Sequence, residues 1–475
     1  MALNSPIEDS YCIATEVAPG QITAGGALAY LSLESHSIEA ESFEITPIEA
    51  NLDRGEYSKG SAGELRPVQI ITGASISAVV PLRGPGVAYG TRPPELEPFL
   101  LAAGLQVSTG VYTPASPITS HSTLNAARTY GTLLQRLYAG AVNLQLAAAS
   151  GEVVKATFSG TGNWLEPQEE AHSGSTYTVD STDPVIFDRS TVSFTAAEDV
   201  AGNSLATRFP SFTAPHVASF SLDLQNTISP VTSGTLQALP NYAVLQDDGG
   251  SFTSYLTESN ESTADDVEPW AATPAINDAF YIGSPMPAWG HRIQHTDAGS
   301  SVMTVVPEYY NGASWATLPM GRQQWVDGDE TAGLLENLWH PPADWARTTV
   351  NGVVAFWVRY RVSAYTSISN PTAIGQIWTL YPSAATKHIV TQQKPRLTLV
   401  VEMEDDATFD PVREWRGGVT RSLGMTLGTG QYNTWSLGFT DAKYMEIPKT
   451  VIDGGIVRHT LVFGAPSAWN ITAVQ

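Results

Sequence analysis

The stretch from Asn277 to Arg361 decides how the middle of this chain folds. It contains the segments Asp278-Ala-Phe-Tyr-Ile-Gly283, Tyr309-Tyr-Asn-Gly-Ala-Ser-Trp315, His340-Pro-Pro-Ala-Asp-Trp345 and Phe356-Trp-Val-Arg-Tyr-Arg361. Aromatic and β-branched residues favour strands, and the Asn-Gly and Pro-Pro pairs between them favour turns. The pattern predicts a small β-sandwich that folds by itself inside a longer chain.

The composition extends this prediction to the whole chain. The 475 residues include 40 Gly and 31 Pro, and only 15% are charged. Frequent turn formers with few charges are typical of many short strands. Heptads, low-complexity tracts and short repeats are absent from the sequence, which excludes coiled-coil, collagen-like and solenoid classes. The sequence therefore predicts an all-β protein.

The charge excludes a protein that binds nucleic acid tightly. There are 47 acidic and 24 basic residues, a net charge of −23, whereas phosphate binding needs clustered Lys and Arg. Two interpretations remain open. The acidic residues form a solubilising surface, or they form the wall of a passage through which DNA slides without sticking.

Other features bear on the compartment. Cys12 is the only cysteine, so an intramolecular disulfide or a cysteine-based zinc site is excluded. Met1 to Asp9 lacks the basic and apolar regions of a signal peptide. The longest apolar run, Val353 to Val358, is too short to span a bilayer. We expect neither secretion nor membrane insertion.

Short motifs flank the aromatic stretch in a definite order. They are Ile70-Ile-Thr-Gly-Ala-Ser-Ile76, Leu82-Arg-Gly-Pro-Gly86, Pro93-Pro-Glu-Leu-Glu-Pro-Phe-Leu-Leu-Ala-Ala-Gly104, Tyr112-Thr-Pro-Ala-Ser116, Ala147-Ala-Ala-Ser-Gly-Glu152, Phe158-Ser-Gly160, Phe220-Ser-Leu-Asp-Leu-Gln-Asn226, Asp453-Gly-Gly-Ile456 and Leu461-Val-Phe463. In this order they resemble the tail tube (major tail) proteins of long-tailed phages. The aromatic stretch resembles the Ig-like β-sandwich modules, with a Tyr-Tyr-x-Gly-x-x-Trp motif, that decorate phage tails and other virion proteins.

The resemblance implies a fold and a domain plan. Residues 1–245 and 388–475 would form a tail-tube β-sandwich, with sheets that build an inner barrel and one short helix. Residues 275–385 would form the inserted sandwich. Between them, Asp247 to Glu268 holds seven acids and no Lys or Arg, which predicts a flexible acidic linker over residues 246–274.

The resemblance also implies a function. The chain would be a structural virion protein, not an enzyme, that assembles in the host cytoplasm into stacked homohexameric rings. The rings would form the tube through which DNA is ejected without specific binding. Expected partners are the tape measure, tail terminator and baseplate or tip proteins, and the outward insert would contact host-surface glycans. No cofactor is expected.

The clearest predicted helix runs from Pro93 to Ala103. Prolines suit the first turn of a helix, and Gly104 supplies a left-handed C-terminal stop. Four apolar side chains fall on one face and predict a packing helix: Leu96, Phe99, Leu100 and Ala103.

Glu39, Glu41 and Glu44 are the candidates for a channel wall. Glu39 and Glu41 share one face of a strand, and Glu44 has the opposite parity, so all three line one wall only with a bulge or strand break near Ser42. The competing interpretation places them on the outer surface for solubility. The resemblance implies an inter-ring loop at residues Asp53, Arg54, Gly55, Glu56, Tyr57, Ser58, Lys59 and Gly60, and an ordinary surface loop is the alternative.

Catalytic motifs were sought and none fits. His291 and His295, with Asp297, resemble a metal-ligand pair in spacing, but four residues align such ligands on a helix and this stretch predicts strands. The run Asp327 to Thr331 lacks the Gly and Glu of a calcium loop and predicts a turn.

The second candidate function is a carbohydrate-binding or carbohydrate-cleaving β-protein, such as a tail fibre or lectin-like module. It depends on aromatic rings that serve equally well as a sandwich core, namely Trp289, Trp315, Trp339, Trp345, Trp357 and Trp378.

Overall fold

Strands dominate the chain, which confirms the all-β prediction. The computed structural model describes residues 9–23, 26–28, 31–52, 68–89, 91–130, 133–169, 182–188, 192–199, 201–214, 216–231, 236–261, 267–297, 300–325, 332–370, 373–382, 387–403, 409–429, 432–453 and 456–474. The strands before residue 236 are β1 Ser10–Thr15, β2 Ser42–Leu52, β3 Val68–Pro81, β4 Leu105–Ser108, β5 Val111–Pro114, β6 Leu124–Tyr130, β7 Leu133–Ala149, β8 Glu152–Val153, β9 Lys155–Glu169, β10 Ile186–Phe187, β11 Val192–Phe194, β12 Phe212–Ala214, β13 His216–Asp223 and β14 Thr227–Val231.

The remaining strands divide into two groups. The middle group comprises β15 Leu236–Leu239, β16 Ala243–Asp248, β17 Ser251–Ser254, β18 Ala279–Ser284, β19 Gly290–Asp297, β20 Ser300–Tyr310, β21 Trp315–Thr317, β22 Met320–Arg322, β23 Gly333–Trp339, β24 Thr348–Val350, β25 Val353–Asn370 and β26 Ala373–Pro382. The last group comprises β27 Lys387–Gln392, β28 Arg396–Met403, β29 Thr420–Leu427, β30 Thr434–Tyr444, β31 Lys449–Asp453, β32 Ile456–Gly464 and β33 Ala468–Val474.

The first and last groups form one sandwich, called here the first sandwich. One layer is antiparallel in the order β2-β3-β9-β7-β13-β28-β32-β31. The other layer contains β4-β5-β33-β30-β29-β11-β12, with β1 and β6 pairing beside the start of β7. Side chains of both layers share one core. The two parts of the sequence that flank the insert thus build a single unit.

The core of the first sandwich follows from strand alternation. Phe43, Ala78, Phe158 and Leu144 lie opposite one another on four neighbouring strands and are all buried. Phe99 stacks on Phe158 with ring centroids 4.2 Å apart. Apolar residues at every second position bury one face of each strand against the opposite layer.

The middle group forms a second sandwich of two antiparallel sheets. Five strands pair in the order β15-β26-β19-β23-β22, and six pair in the order β17-β16-β18-β25-β20-β21, with β24 on β25. Large aromatic rings fill the space between them, among them Trp325 and Tyr360 with centroids 4.7 Å apart. Leu28, Tyr138 and Leu165 of the first sandwich join this same core, so the two sandwiches pack against each other.

The flexible linker predicted at 246–274 is wrong for the residues that the structure describes there. β16 and β17 form a hairpin at the edge of a sheet, and a helix with buried Ser259 and Asn260 follows. Asp247 and the nearby Asp278 both take part in the turn of this hairpin. Asp247 Oδ1 accepts from the Gly250 amide at 2.8 Å, and Asp278 Oδ1 accepts from the Gly249 amide at 3.0 Å. The second sandwich therefore begins at Leu236 and not at residue 275.

The prediction of one short helix is also wrong, since the described ranges contain four, together with a 3₁₀ turn at Ile118–Ser120. They are α1 Leu33–His36, α2 Glu97–Ala102, α3 Leu256–Asn260 and α4 Pro411–Gly417. The predicted helix is α2. It starts at Glu97, with Leu96 as its N-cap, and therefore after the proline pair and not at Pro93. The four side chains predicted on its packing face are all at most 2% exposed: Leu96, Phe99, Leu100 and Ala103.

Candidate functional site

The outward face of the eight-stranded layer is rich in hydroxyl groups. Cross-strand partners share a face, so Glu44, Ser77, Ser159 and Asn143 form one row across β2, β3, β9 and β7. The row formed by Ala147, Ser221, Thr398 and Val462 continues across β7, β13, β28 and β32. We call this surface the hydroxyl face, and its Ser and Thr residues are Ser42, Thr46, Ser75, Ser77, Thr157, Ser159, Thr161, Ser219, Ser221, Thr398 and Thr460.

Strand alternation places these hydroxyls on the outer side of the layer, where each is half-buried or exposed. In β2, Phe43 and Ile45 are buried while Ser42, Glu44 and Thr46 are exposed. Because successive side chains of a strand point to opposite faces, a core on one side forces the intervening residues outward. The hydroxyl face is thus the necessary complement of the apolar core.

Charges on and beside this face are mostly paired. Lys155 Nζ lies 2.8 Å from Glu41, Arg458 Nε lies 2.7 Å from Glu402, and Arg396 lies 3.6 Å from Glu446. Asp223 accepts a 2.9 Å hydrogen bond from Asn143 Nδ2. Lys449, on the edge strand β31, is exposed. A paired cation presents a weaker field to a passing phosphate than a free one does, so the face combines hydroxyl groups with little net charge.

The three candidate glutamates lie at one margin of the hydroxyl face and are all exposed. Glu44 is in β2, directly opposite Ser77 on the face. Glu39 and Glu41 precede β2, which begins at Ser42. Glu39 pairs with Arg83 at 2.9 Å, and Glu41 pairs with Lys155 at 2.8 Å.

Both margins of the layer are open edges in the described part of the chain. β2 pairs with β3 alone, and β31 pairs with β32 alone. An edge strand carries backbone N–H and C=O groups that can pair with another chain. The predicted inter-ring loop, Asp53 to Gly60, falls in the sequence between β2 and β3 and lies outside the described residues.

The histidines considered as metal ligands belong to the core of the second sandwich. His291 and His295 are 1% and 0% exposed, and both lie on β19, where residues four apart share a face but stand about 13 Å apart. His291 Nδ1 lies 3.0 Å from the Tyr360 hydroxyl, and burial lowers the pKa of His291 to about 3. Within the described ranges, no group of three or more His, Cys, Asp or Glu side chains is placed to hold a metal ion.

The tryptophans divide between core and surface. Trp339, Trp345 and Trp357 are buried, which confirms the core interpretation for these rings, whereas three others are half-buried: Trp289, Trp315 and Trp378. The Tyr-Tyr-x-Gly-x-x-Trp motif is a hairpin between β20 and β21, in which Tyr310 pairs with Trp315. Asn311 Oδ1 accepts from two amides of the turn at 2.8 and 3.0 Å, so the motif shapes a turn. The Asp327 to Thr331 run lies outside the described residues.

None of the sequence motifs considered for catalysis or metal binding falls on the hydroxyl face. A signal was present in alternating hydroxyls such as Ser75-Ile-Ser77 and Thr157-Phe-Ser159, but joining them into one surface requires long-range strand register.

In the described residues, no helix is both long and apolar enough to cross a membrane. No protein-family profile matches the chain, and no curated protein is detectably similar to it.

Proposed function

We propose that this protein is the subunit of a phage tail tube, a structural virion protein through whose assembled rings DNA leaves the particle. The observation that carries the proposal is the hydroxyl face, which occupies one side of a broad antiparallel layer with two open edges. Such a layer extends by adding copies at its edges, and its wet side then forms a continuous wall.

The chemistry of the hydroxyl face suits a passage for DNA. A protein that neutralises phosphates with Lys or Arg gains affinity through counterion release. Here Lys155 and Arg458 are held by carboxylates at 2.8 and 2.7 Å, and most other side chains are neutral. Hydroxyls keep the wall wetted without a fixed charge to hold phosphate. Glu44, and the excess of acids in the whole chain, oppose adhesion further.

Ring formation follows from joining unlike edges. The edge at β2 and the edge at β31 differ in length and sequence, so their pairing is heterologous, and a heterologous contact gives a ring when its rotation closes. Six copies per ring is the number that the resemblance to tail tube proteins implies. Pairing would also cover backbone groups that the single chain leaves exposed, so assembly would stabilise each copy.

The second sandwich is assigned to the outside of the tube. It packs on the first sandwich through Leu28, Tyr138 and Leu165, and Tyr138 and Leu165 lie further along β7 and β9 than the hydroxyl-face residues of those strands. In the virion this end of the strands would lie outside the channel, while the tube ends would contact tape measure, terminator and baseplate or tip proteins.

Electron microscopy of the purified chain tests the proposal. Negative staining of concentrated protein is expected to show rings or tubes with a central channel, and class averages give the ring symmetry. A chain that remains monomeric at high concentration, in low and in physiological salt, would contradict the proposal.

A carbohydrate-binding role of the second sandwich is the other candidate. It is favoured by Trp289, Trp315 and Trp378, which are half-buried and hence partly available for stacking on sugar rings. Glycan-array binding by the purified chain, together with an assay for glycan hydrolysis, separates this role from tube formation. An elongated trimer with glycan affinity would favour a fibre over a tube.

A further inference from the structure

A hairpin at one end of the first sandwich exposes apolar side chains on both of its faces. β31 and β32 form this hairpin, and Ile452 is 72% exposed, the highest value for a large hydrophobic side chain in the described residues. Val451 is 58% exposed and Ile456 is 42% exposed. Adjacent residues of a strand point to opposite sides, so Val451 and Ile452 leave both sides of the hairpin uncovered. We call this the apolar hairpin.

A mostly apolar cleft lies at the other end of the same sandwich. It has a volume of about 750 Å³. Its walls come from the ends of β5, β28, β30 and β32 and from the β32–β33 turn. They include Pro114, Pro395, Met445, Ala465, Ala468 and Trp469. Met445 is 43% exposed at the rim, so the cleft offers apolar surface that the single chain does not cover.

The apolar hairpin and the cleft cannot meet within one molecule. Ile456 begins β32 beside the hairpin turn, and Gly464 ends β32 in the wall of the cleft. Eight steps of about 3.4 Å separate them, roughly 27 Å along an extended strand. The two features therefore point in opposite directions along the strands. An apolar projection and a matching pocket at opposite ends of a molecule make a heterologous contact that repeats from copy to copy.

We propose that the apolar hairpin of one copy inserts into the cleft of a second copy of this chain and joins successive rings of the tube. The inference rests on the proposed function. Edge pairing at β2 and β31 joins copies side by side, whereas hairpin insertion joins them along the strand direction. A second copy is the occupant because every molecule carries one hairpin and one cleft.

The size of the contact fits a multivalent assembly. A hairpin tip of a few residues buries less than the roughly 800 Å² per partner of a stable interface, so one such contact is weak. A ring presents one hairpin per subunit to the next ring, and contacts that form together reinforce each other through effective concentration. Stacking would then be strong between rings and negligible between free subunits.

Mixed cysteine cross-linking tests the contact directly. Cys12, the only cysteine, is fully buried. A disulfide between subunits would therefore come from the cysteines introduced on the surface. We expect Ile452→Cys and Ala468→Cys subunits, mixed and oxidised under tube-forming conditions, to give a disulfide-linked dimer, while neither variant alone does. The matched control pairs Ala468→Cys with Val302→Cys, a similarly apolar and exposed position (61%) on the second sandwich, and should give no dimer.

A second variant keeps the proposal falsifiable if cross-linking geometry is poor. Ile456→Asp changes the hairpin on β32 and not on the ring-forming edge strand β31, so it should leave rings intact but abolish stacks, whereas Val302→Asp should leave tubes unchanged. Tubes from Ile456→Asp of wild-type length, or Ile452→Cys subunits that cross-link to each other, would overturn the hairpin contact. Wild-type protein without rings would instead contradict the tube proposal itself, so the two failures are distinguishable.

Discussion

The two faces of the eight-stranded layer are built from alternate residues of the same strands, yet they serve opposite requirements. Phe158 is buried and stacked on Phe99, while its neighbour Ser159 is exposed on the hydroxyl face. Stability depends on the first kind of residue because the hydrophobic contribution to folding grows with the apolar area removed from water. The second kind contributes little to stability, so its identity can be set by what the outer surface has to contact.

The largest expected contrast is between Phe158→Ala and Ser159→Ala. Removing the buried ring should cost about 3–5 kcal/mol in the free energy of unfolding, since the lost contacts leave a cavity. Removing the exposed hydroxyl should change it by no more than about 0.5 kcal/mol. Denaturant unfolding followed by tryptophan fluorescence measures both. Similar losses for the two variants would mean that the hydroxyl face is covered in the folded chain.

A comparable contrast holds for charged pairs inside and outside the core. Glu414 and Arg421 are 1% and 0% exposed, with Arg421 Nε 2.9 Å from the carboxylate, and the Tyr444 hydroxyl donates to Glu414 at 2.8 Å. Glu414→Gln leaves a buried guanidinium without its counter-charge and should cost about 3–5 kcal/mol.

The matched control for this pair is Glu41→Gln, which breaks the exposed pair with Lys155. Exposed pairs contribute at most about 1 kcal/mol. The same unfolding measurement compares the two variants. If Glu414→Gln costs no more than Glu41→Gln, the buried arginine finds other partners, and its carbonyl contacts to Thr195 and Pro210 would be the first to consider.

The strands were predictable from the sequence because alternation is local, whereas the boundary of the second sandwich was not. Asp247 and Asp278 signal a turn only after their amide partners are known, and the acidic composition alone favoured a linker. α4 was missed although its signals are local: Asp410 caps the Arg413 amide, Pro411 occupies the first turn, and Gly418 adopts a left-handed conformation. The hydroxyl face requires pairings between strands that are far apart in the sequence, such as β13 and β28, which one sequence does not specify.

A pH-dependent effect of comparable size comes from Glu16, where the first sandwich meets the second. Its carboxylate is buried and accepts from Thr123 Oγ1 at 2.6 Å and from the Ala139 and Gly20 amides at 3.0 Å. Burial outweighs these donors and raises the pKa of Glu16 to about 8. The folded state therefore binds a proton more tightly than the unfolded state does.

The sign of this effect follows from linkage. Stability should fall as pH rises from about 4.5 to about 8, by up to about 1.4 kcal/mol per pH unit, and should level off outside that window. Glu16→Gln removes the titrating group and should flatten the dependence. Denaturation midpoints of both proteins at pH 5 to 8.5 measure it. Parallel curves for the two proteins would show that another group causes any pH dependence.

The smallest effect on stability, and the most direct test of the hydroxyl face, comes from reversing charge at its margin. Glu39→Lys with Glu41→Lys should alter the free energy of unfolding by about 1 kcal/mol or less, because the two substituted glutamates are exposed. It would place cations beside Arg83 and Lys155. Glu44→Lys puts a cation on the face itself. Under the proposed function, phages built with these subunits should still form tubes but eject DNA more slowly, most strongly at low salt.

The matching Glu→Gln variants separate loss of an ion pair from gain of phosphate affinity. Glutamine breaks the same pairs with Arg83 and Lys155 without adding a cation, so ejection should stay close to the wild-type rate. If Lys and Gln variants slow ejection equally, the ion pairs matter for structure and not for the channel. If the double variant Glu39→Lys, Glu41→Lys does not affect ejection from intact tubes, then either this margin faces away from the DNA or wall charge does not limit passage. Glu44→Lys distinguishes these outcomes, since a change there alone would place the channel over the strands and not over their margin.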